Sequence, residues 1–248
     1  MKRRASELFE TITLPNGKKK CDYTQCRQNT PEWLKLRSDF ALTASEVAQA
    51  IGVHKSATAL TLYHLKSQQM VPTVSNYVQQ MLDHGKTCEP IALKEFSEKT
   101  GIKASPTGIW PFNDKLMIGA SPDSIGVDDN GEKFVVEVKC PYMPNFNFEE
   151  EAKCMNPAYY VQMQTQMACV NVKYGYYVIW TVEKMMINKV YFNQIAWDYI
   201  LKEAEKFTRQ VRERRPPVRN RSKAKKIDQI KIFQSLPPRM QQVYFAHF

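Results

Sequence analysis

The segment from residue 133 to residue 139, KFVVEVK, constrains the fold of this chain more than any other stretch. Its β-branched residues predict a strand, and the Asn-Gly pair in the preceding DDNG predicts a tight hairpin turn. Within a strand, Glu137 and Lys139 share one face, while Val136 and Val138 pack on the opposite side. The chain is therefore expected to place a carboxylate and an ammonium group together at the end of a buried strand.

Short apolar stretches from 108 to 139 predict a β-meander, and two later stretches, 174 to 182 and 188 to 193, also predict strands. The remaining apolar periodicity is helical. Helices are predicted at 31 to 40, from Thr43 with Glu46 completing a capping box, at 76 to 100 with a break at Gly85, at 156 to 170 with Asn156 as N-cap, and at 196 to 215.

The 248 residues predict one folded domain, because no Gly/Ser-rich or Pro-rich linker divides residues 30 to 200. We expect an N-terminal basic arm of low order at 1 to 30, the domain at 31 to 204 and a basic C-terminal extension at 205 to 248. Most of the net charge of +10 lies in residues 206 to 226, where ten Lys and Arg accompany a single acidic residue. Such a segment suits nucleic acid first and anionic lipid second, and a subunit contact or a nuclear address stays open.

Several function classes are not supported by the sequence. The GKT at 85 to 87 lacks the earlier glycine of a phosphate-binding loop, since Gln80 stands there. Cys21 and Cys26 have no second close pair to complete a zinc site. The close CxxC pair expected of an iron–sulfur cluster is lacking among Cys88, Cys140, Cys154 and Cys169. No signal peptide or run of 18 apolar residues is present, so we expect reduced thiols, no membrane span and an intracellular location, in the cytoplasm or nucleus of a host cell.

Asp123 lies one hairpin before Glu137, and the DDNG turn would bring the two carboxylates side by side. Neighbouring carboxylates repel unless a cation lies between them, and oxygen ligands suit a hard divalent ion such as Mg²⁺. With Lys139 to orient or deprotonate water, the set fits phosphodiester hydrolysis. The alternative from these residues alone is an ordinary surface ion pair at a strand end.

Five motifs in order add a resemblance that covers about residues 30 to 180. They are LKLR with LTASE at 34 to 46, HGKTCEP at 84 to 90, GASPDS at 119 to 124, VEVKCPY at 136 to 142 and AYYVQMQ at 158 to 164. Together they resemble the lambda-exonuclease family, the YqaJ-type viral recombinase nucleases of the PD-(D/E)xK superfamily. The resemblance implies an α/β (α+β) fold with a restriction-endonuclease-like core, in which helices flank a mixed central β-sheet.

Site roles follow from the same resemblance, position by position. It implies that Asp123, Glu137 and the carbonyl of Val138 hold Mg²⁺, with two ions expected and Mn²⁺ able to substitute. The implied catalytic residues beside these ligands are Lys139, Glu89 and Gln162. The residues implied to receive DNA and its 5′ phosphate are Arg37, Ser45, Ser121 and Tyr159, although the chain is one residue longer between Arg37 and Ser45 than the family pattern.

By resemblance, the chain is a Mg²⁺-dependent exonuclease that degrades one strand of linear duplex DNA from its 5′ end and leaves 3′ single-stranded tails. A single-strand annealing protein and a ring-shaped homotrimer are the implied partners, and a viral or phage-derived origin is the implied source. Two alternatives stay open. One is an endonuclease on DNA or RNA with the same metal site, and the other is an inactive DNA-binding module.

Overall fold

The computed structural model of the chain describes residues 11–13, 19–21, 23–67, 73–113, 118–142, 146–217, 223–235 and 241–246. The strands are β1 (Thr11–Thr13), β2 (Lys19–Cys21), β3 (Leu42–Thr43), β4 (Ala104–Ser105), β5 (Trp110–Pro111), β6 (Ile118–Ala120), β7 (Ser124–Val127), β8 (Lys133–Lys139), β9 (Tyr174–Trp180), β10 (Lys184–Tyr191) and β11 (Gln241–Ala246). The helices are α1 (Pro31–Asp39), α2 (Ala44–Ala50), α3 (Ala59–Lys66), α4 (Asn76–Thr100), α5 (Phe148–Lys153), α6 (Pro157–Val170), α7 (Gln194–Arg212) and α8 (Lys223–Ser235).

The main sheet has six strands in the order β11-β10-β9-β8-β7-β4. Its neighbours pair antiparallel except β8 and β9, which are parallel and are joined through α6. A smaller mixed sheet has the order β3-β6-β5. The predicted α/β fold with a mixed central sheet flanked by helices is confirmed.

Helices cover both faces of the main sheet. Val136 and Val138 belong to the apolar cluster under α4, whereas Val135 packs in the larger cluster with α2, α6 and α7. Alternation along β8 therefore sends Glu137 and Lys139 toward α6 while their neighbours are buried under α4. Among the described residues, no helix combines the length and apolar composition needed to cross a bilayer.

The predicted break at Gly85 is wrong, because α4 runs without interruption through Gly85 and Pro90. A glycine inside a helix costs only about 1 kcal/mol, and burial of Ala92 and Phe96 against the sheet offsets such losses. The helix does end where predicted, at Gly101, whose φ of 71° lies in the left-handed region that favours glycine.

The predicted β-meander is divided between two sheets. The strands β5 and β6 pair with each other beside β3, whereas β7 and β8 form a hairpin in the main sheet. This hairpin turns at the predicted Asn-Gly pair, with Gly131 at a φ of 78°. Turn chemistry is local and was predictable, but the choice of partner for a strand of two or three residues depends on distant segments.

Residues 23 to 30 differ from the expected arm, because they pack on the folded unit. Cys26 is buried, and the side-chain amide of Gln28 donates to the carbonyls of Thr107 and Pro122. Within the earlier part of the expected arm, β1 and β2 pair as an antiparallel hairpin. Residues 1 to 10 and 14 to 18 lie outside the described residues.

The expected C-terminal extension is also part of the fold. Helix α7 crosses the expected boundary at residue 204, α8 buries Ile230 and Phe233 in the main core, and β11 pairs with β10. Ile230 and Phe233 lie three residues apart, so one side of a highly charged helix is apolar. The spacing of Ile230 and Phe233 could have predicted a helix packed on the core, but the high lysine content of the segment led to the prediction of an extension.

Candidate active site

The β7–β8 hairpin brings Asp123 to Glu137. Its register pairs Ser124 with Val136, so the residue before β7 lies opposite Glu137. The Oδ2 atom of Asp123 accepts a hydrogen bond of 2.6 Å from the backbone N–H of Val138. The proximity predicted from the turn sequence is therefore found, and Val138 lies between the two carboxylates.

The carboxylate of Glu137 is buried and accepts three hydrogen bonds. Its side chain is 2% exposed. Lys139 Nζ and Gln162 Nε2 both donate to Oε1 at 2.5 Å, and Gln166 Nε2 donates to Oε2 at 2.5 Å. Both amides come from α6, one helical turn apart, so they reach the same carboxylate from one face. A buried charge with this many donors has a fixed orientation.

Gln166 is the residue that the sequence reasoning missed. It is fully buried, and no other polar group within the described residues bonds its Oε1 atom. The available signal was its position four residues after Gln162, which places both amides on one side of a helix. That spacing became informative only once α6 was known to lie over β8.

Lys139 is enclosed by aromatic and acidic groups. Its Nζ lies 5.0 Å from the centre of the Tyr159 ring, which in turn packs on Tyr177 with centroids 5.8 Å apart. Burial by itself lowers the pKa of Lys139, but the carboxylates of Glu137 and Asp123 more than offset this and raise the pKa above its ordinary value. The arrangement thus holds Lys139 as a cation.

Two further carboxylates, Asp123 just before β7 and Glu89 on α4, interact electrostatically with Glu137 and Lys139. Burial raises the pKa of Asp123 well above its usual range, and the charges of Glu137 and Glu89 raise it further, while Lys139 opposes them. Burial and the charge of Glu137 likewise raise the pKa of Glu89. Three acidic groups therefore lie near one lysine in a partly buried site, which leaves negative charge for another cation to neutralise.

The carboxylate oxygens of this site are suitable ligands for a magnesium ion. Mg²⁺ takes oxygen ligands and is usually held by one or two carboxylates together with water and substrate phosphate. In the part of the chain that the structure describes, no group of three or more His, Cys, Asp or Glu side chains is gathered as a metal site. The two carboxylates of Asp123 and Glu137 are enough to bind magnesium when water and substrate phosphate supply the remaining ligands. They are too few to coordinate an ion by protein groups alone.

Two of the residues expected to receive the DNA end, Arg37 and Ser45, meet at the start of α2. Arg37 Nη2 donates to Ser45 Oγ at 2.8 Å and to Thr43 Oγ1 at 3.3 Å, and its guanidinium carbon lies 4.9 Å from the centre of the Trp33 ring. Thr43 and Trp33 were not predicted as site residues, although Thr43 does form the predicted capping box with Glu46.

Ser121 is connected to this group through Trp33 rather than directly. The indole N–H of Trp33 donates to Ser121 Oγ at 3.0 Å, and the Ser121 hydroxyl donates to the carbonyl of Gly108 at 2.9 Å. Burial lowers the pKa of Arg37, while the charges of Glu46 and then Glu137 act in the opposite direction. Arg37 is thus within electrostatic reach of the buried carboxylate, so the two predicted parts of the site adjoin.

Comparison with solved structures shows the same fold in exonucleases. An alkaline exonuclease (LHK-Exo) from Laribacter hongkongensis is 22% identical, with a TM-score of 0.59 over 75% of this chain and 94% of that chain. Its complex with dAMP gives a TM-score of 0.62 at the same identity and coverage. A phage-related exonuclease from Haemophilus somnus 129PT is 15% identical, with a TM-score of 0.53 over 70% of this chain and 95% of that chain.

Comparison with curated protein sequences finds no match. The YqaJ-like viral recombinase domain matches residues 32–173. This span is more than half of the 248 residues, and it contains the acidic residues, Lys139, the α6 amides and Arg37. The chain therefore belongs to the YqaJ-like viral recombinase domain family, as the ordered motifs had indicated.

Proposed function

We propose that this protein is a magnesium-dependent deoxyribonuclease that degrades one strand of linear duplex DNA from the 5′ end and leaves 3′ single-stranded tails. Family membership and the fold shared with exonucleases support a nuclease. The observation that carries the proposal is the buried Glu137 carboxylate, held by Lys139 and the α6 amides directly beside Asp123.

Asp123, Glu137 and the Val138 carbonyl would hold magnesium, and Glu89 would serve a second ion or its water. Bound magnesium supplies a more acidic water and a counter-charge for the phosphate oxygens, and Mn²⁺ is expected to substitute. Asp123 and Glu89 are half-buried, and burial together with the charge of Glu137 raises both of their pKa values, which supports a site that gains stability when a cation arrives.

The protein groups around Glu137 position and stabilise charge. Gln162 and Gln166 fix the orientation of the carboxylate, since each donates to a different oxygen. Lys139 donates to Glu137, so it would orient the attacking water and stabilise negative charge on the phosphate. The Tyr159 ring lies against the ammonium group of Lys139 and shields part of it from water, which strengthens that interaction.

Arg37 is the basis for preferring an exonuclease over an endonuclease. A terminal 5′ phosphate carries more charge than an internal phosphodiester, and a guanidinium binds it through two parallel hydrogen bonds. Ser45, Thr43 and Trp33 already hold the Arg37 side chain. We expect Ser45 and Ser121 to contribute hydroxyl groups to the same phosphate. A homotrimer and an annealing protein that receives the 3′ tails complete the proposal, and both are supported by the family resemblance.

The test is digestion of a linear duplex that carries a 5′ phosphate on one strand, in Mg²⁺, with a closed circle alongside. Loss of the phosphorylated strand alone, and none with Lys139→Ala, is the expected result. Cutting of the circle would replace the proposal with an endonuclease. Absence of any Mg²⁺-dependent cutting by the folded wild type would leave an inactive DNA-binding module.

A further inference from the structure

The outer side of α7 carries basic residues that the site does not use. Lys206, Arg209 and Arg212 are exposed and recur at intervals of three residues, so they lie along neighbouring positions of one helix side. Within the described residues, no ion pair neutralises any of the three. Helix α8 packs against α7, and Lys225 in its first turn is also exposed. We refer to these four residues as the basic surface.

The basic surface is fixed to the core and is not a loose tail. Phe207 of α7 and Ile230 of α8 are buried in the main core. Lys226 joins the two helices, because its ammonium group contacts the carboxylate of Glu203 and donates to the carbonyl of Ile51 at 3.0 Å. A cationic surface held in this way keeps the backbone positions of its basic residues fixed, which lowers the cost of ordering them on a polyanion.

A short series of contacts connects α8 to the site. Ile227 and Lys231 line an open cavity together with Glu151. Glu151 accepts a hydrogen bond of 3.1 Å from the hydroxyl of Tyr177, and Tyr177 packs on Tyr159, which covers Lys139. The helices that carry the basic surface thus pack on the same face of the sheet as the Glu137 cluster.

The exposed chemistry of α7 favours nucleic acid over a membrane. A helix that lies on a lipid surface inserts an apolar face into the acyl boundary. On the second half of α7 the apolar residues Ala204 and Phe207 are buried in the protein core, and the exposed side presents, together with the carboxylate of Glu205, three long cationic side chains. The phosphate backbone of a duplex is a regular row of charges that such groups neutralise without any apolar contact.

We propose that the basic surface binds the phosphate backbone of duplex DNA, at a place separate from the pocket that receives the 5′ end. This inference rests on the proposed function for the identity of its ligand. It adds a second contact that holds the duplex behind the reacting end, so that binding to long DNA is stronger than the end pocket alone provides. None of the four residues takes part in the chemistry.

The test is the salt dependence of binding to a 30-base-pair duplex with 5′-hydroxyl ends, measured in EDTA. The variant is Lys206→Gln/Arg209→Gln/Arg212→Gln. The control, Lys94→Gln/Lys133→Gln/Lys173→Gln, removes the same charge from exposed residues elsewhere. Each lost phosphate contact lowers the slope of log K against log salt by about 0.9. We expect the slope to fall by about 2 to 3 for the variant and by less than about 1 for the control.

Equal slopes for the variant, the control and the wild type would overturn the proposal. So would unchanged DNA binding combined with loss of binding to phosphatidylserine vesicles, which would identify a lipid surface instead. Circular dichroism verifies that each variant is folded. Cleavage by the wild type is scored separately. A reduced slope without wild-type cleavage would defeat the proposed nuclease and retain the DNA-binding surface, whereas cleavage with equal slopes would defeat this inference alone.

Discussion

The candidate site and the basic surface both depend on charge, but they hold it in opposite ways. In the site, Glu137 is almost completely buried, and burial followed by the charge of Glu137 raises the pKa values of Asp123 and Glu89. On the basic surface, Lys206, Arg209 and Arg212 are exposed to water and screened by salt. The comparison teaches that dehydration, rather than the number of charges, decides how much one side chain contributes.

The largest effect is expected from Glu137→Ala. The change leaves Lys139 and the amides of Gln162 and Gln166 without their buried acceptor, which costs about 3 to 5 kcal/mol of unfolding free energy. DNA cleavage should be abolished as well. Urea denaturation measures the loss of stability. The matched control is Glu132→Ala, which removes the exposed ion pair with Lys173 and should leave the midpoint unchanged. Equal shifts of the urea midpoint for Glu137→Ala and Glu132→Ala would contradict the contrast between buried and exposed charges.

Gln166→Leu should reduce cleavage about 10- to 100-fold, because residues that orient a metal-binding carboxylate typically matter to this extent. The protein should stay folded, since leucine is apolar and also removes the unpaired Oε1 atom. Initial rates at several Mg²⁺ concentrations would show whether the loss is in metal affinity. Thr165→Val is the control, because Thr165 is buried on the same helix but its hydroxyl donates to the Val161 carbonyl and not to Glu137. Wild-type cleavage rates for Gln166→Leu would show that Gln166 has no role in cleavage.

Arg37→Gln should reduce the preference for a 5′-phosphorylated end over a 5′-hydroxyl end by about 10- to 150-fold, since a charge-assisted pair contributes roughly 1.5 to 3 kcal/mol. The measurement is the ratio of the two cleavage rates on otherwise identical duplexes. Lys35→Gln, an exposed position on the same helix, should keep the wild-type ratio. If Arg37→Gln left the ratio unchanged, Arg37 would not recognise the 5′ phosphate, and the endonuclease alternative would be favoured.

The smallest effect is expected from a single Arg212→Gln change. One exposed cation should lower the salt slope of duplex binding by about 1 and should leave the unfolding midpoint unchanged. Fluorescence anisotropy over a series of salt concentrations measures the slope. If Arg212→Gln reduced cleavage as much as Gln166→Leu does, an exposed charge would matter as much to activity as a buried group. That result would contradict the contrast between the basic surface and the candidate site.

The site was predictable where its geometry is local. The Asn-Gly turn and the period of a strand were enough to bring Asp123 beside Glu137 and to turn Val138 toward the core. Gln166 was not predictable in this way, because its contact depends on how α6 crosses over β8. Side-chain partners across separate elements are decided by packing, which the spacing of residues along one element does not specify.

The fold was less predictable where tertiary contacts outweigh local preference. Gly85 and Pro90 indicate a helix break, yet packing against the sheet keeps α4 continuous. The lysines of α8 indicate an extension, whereas Ile230 and Phe233 attach it to the core. In both regions a few buried apolar residues determine the structure, and the more numerous polar or helix-breaking residues accommodate it.

Divalent-metal binding by the buried carboxylates is the central claim, and Mn²⁺ binding followed by electron paramagnetic resonance tests it most directly. The wild type should bind Mn²⁺, and Asp123→Asn should weaken that binding at least about tenfold while remaining folded, since it removes one of the repelling buried charges. Asp198→Asn, an exposed carboxylate on α7, is the control and should bind like the wild type. Equal Mn²⁺ affinity in all three proteins would contradict the account.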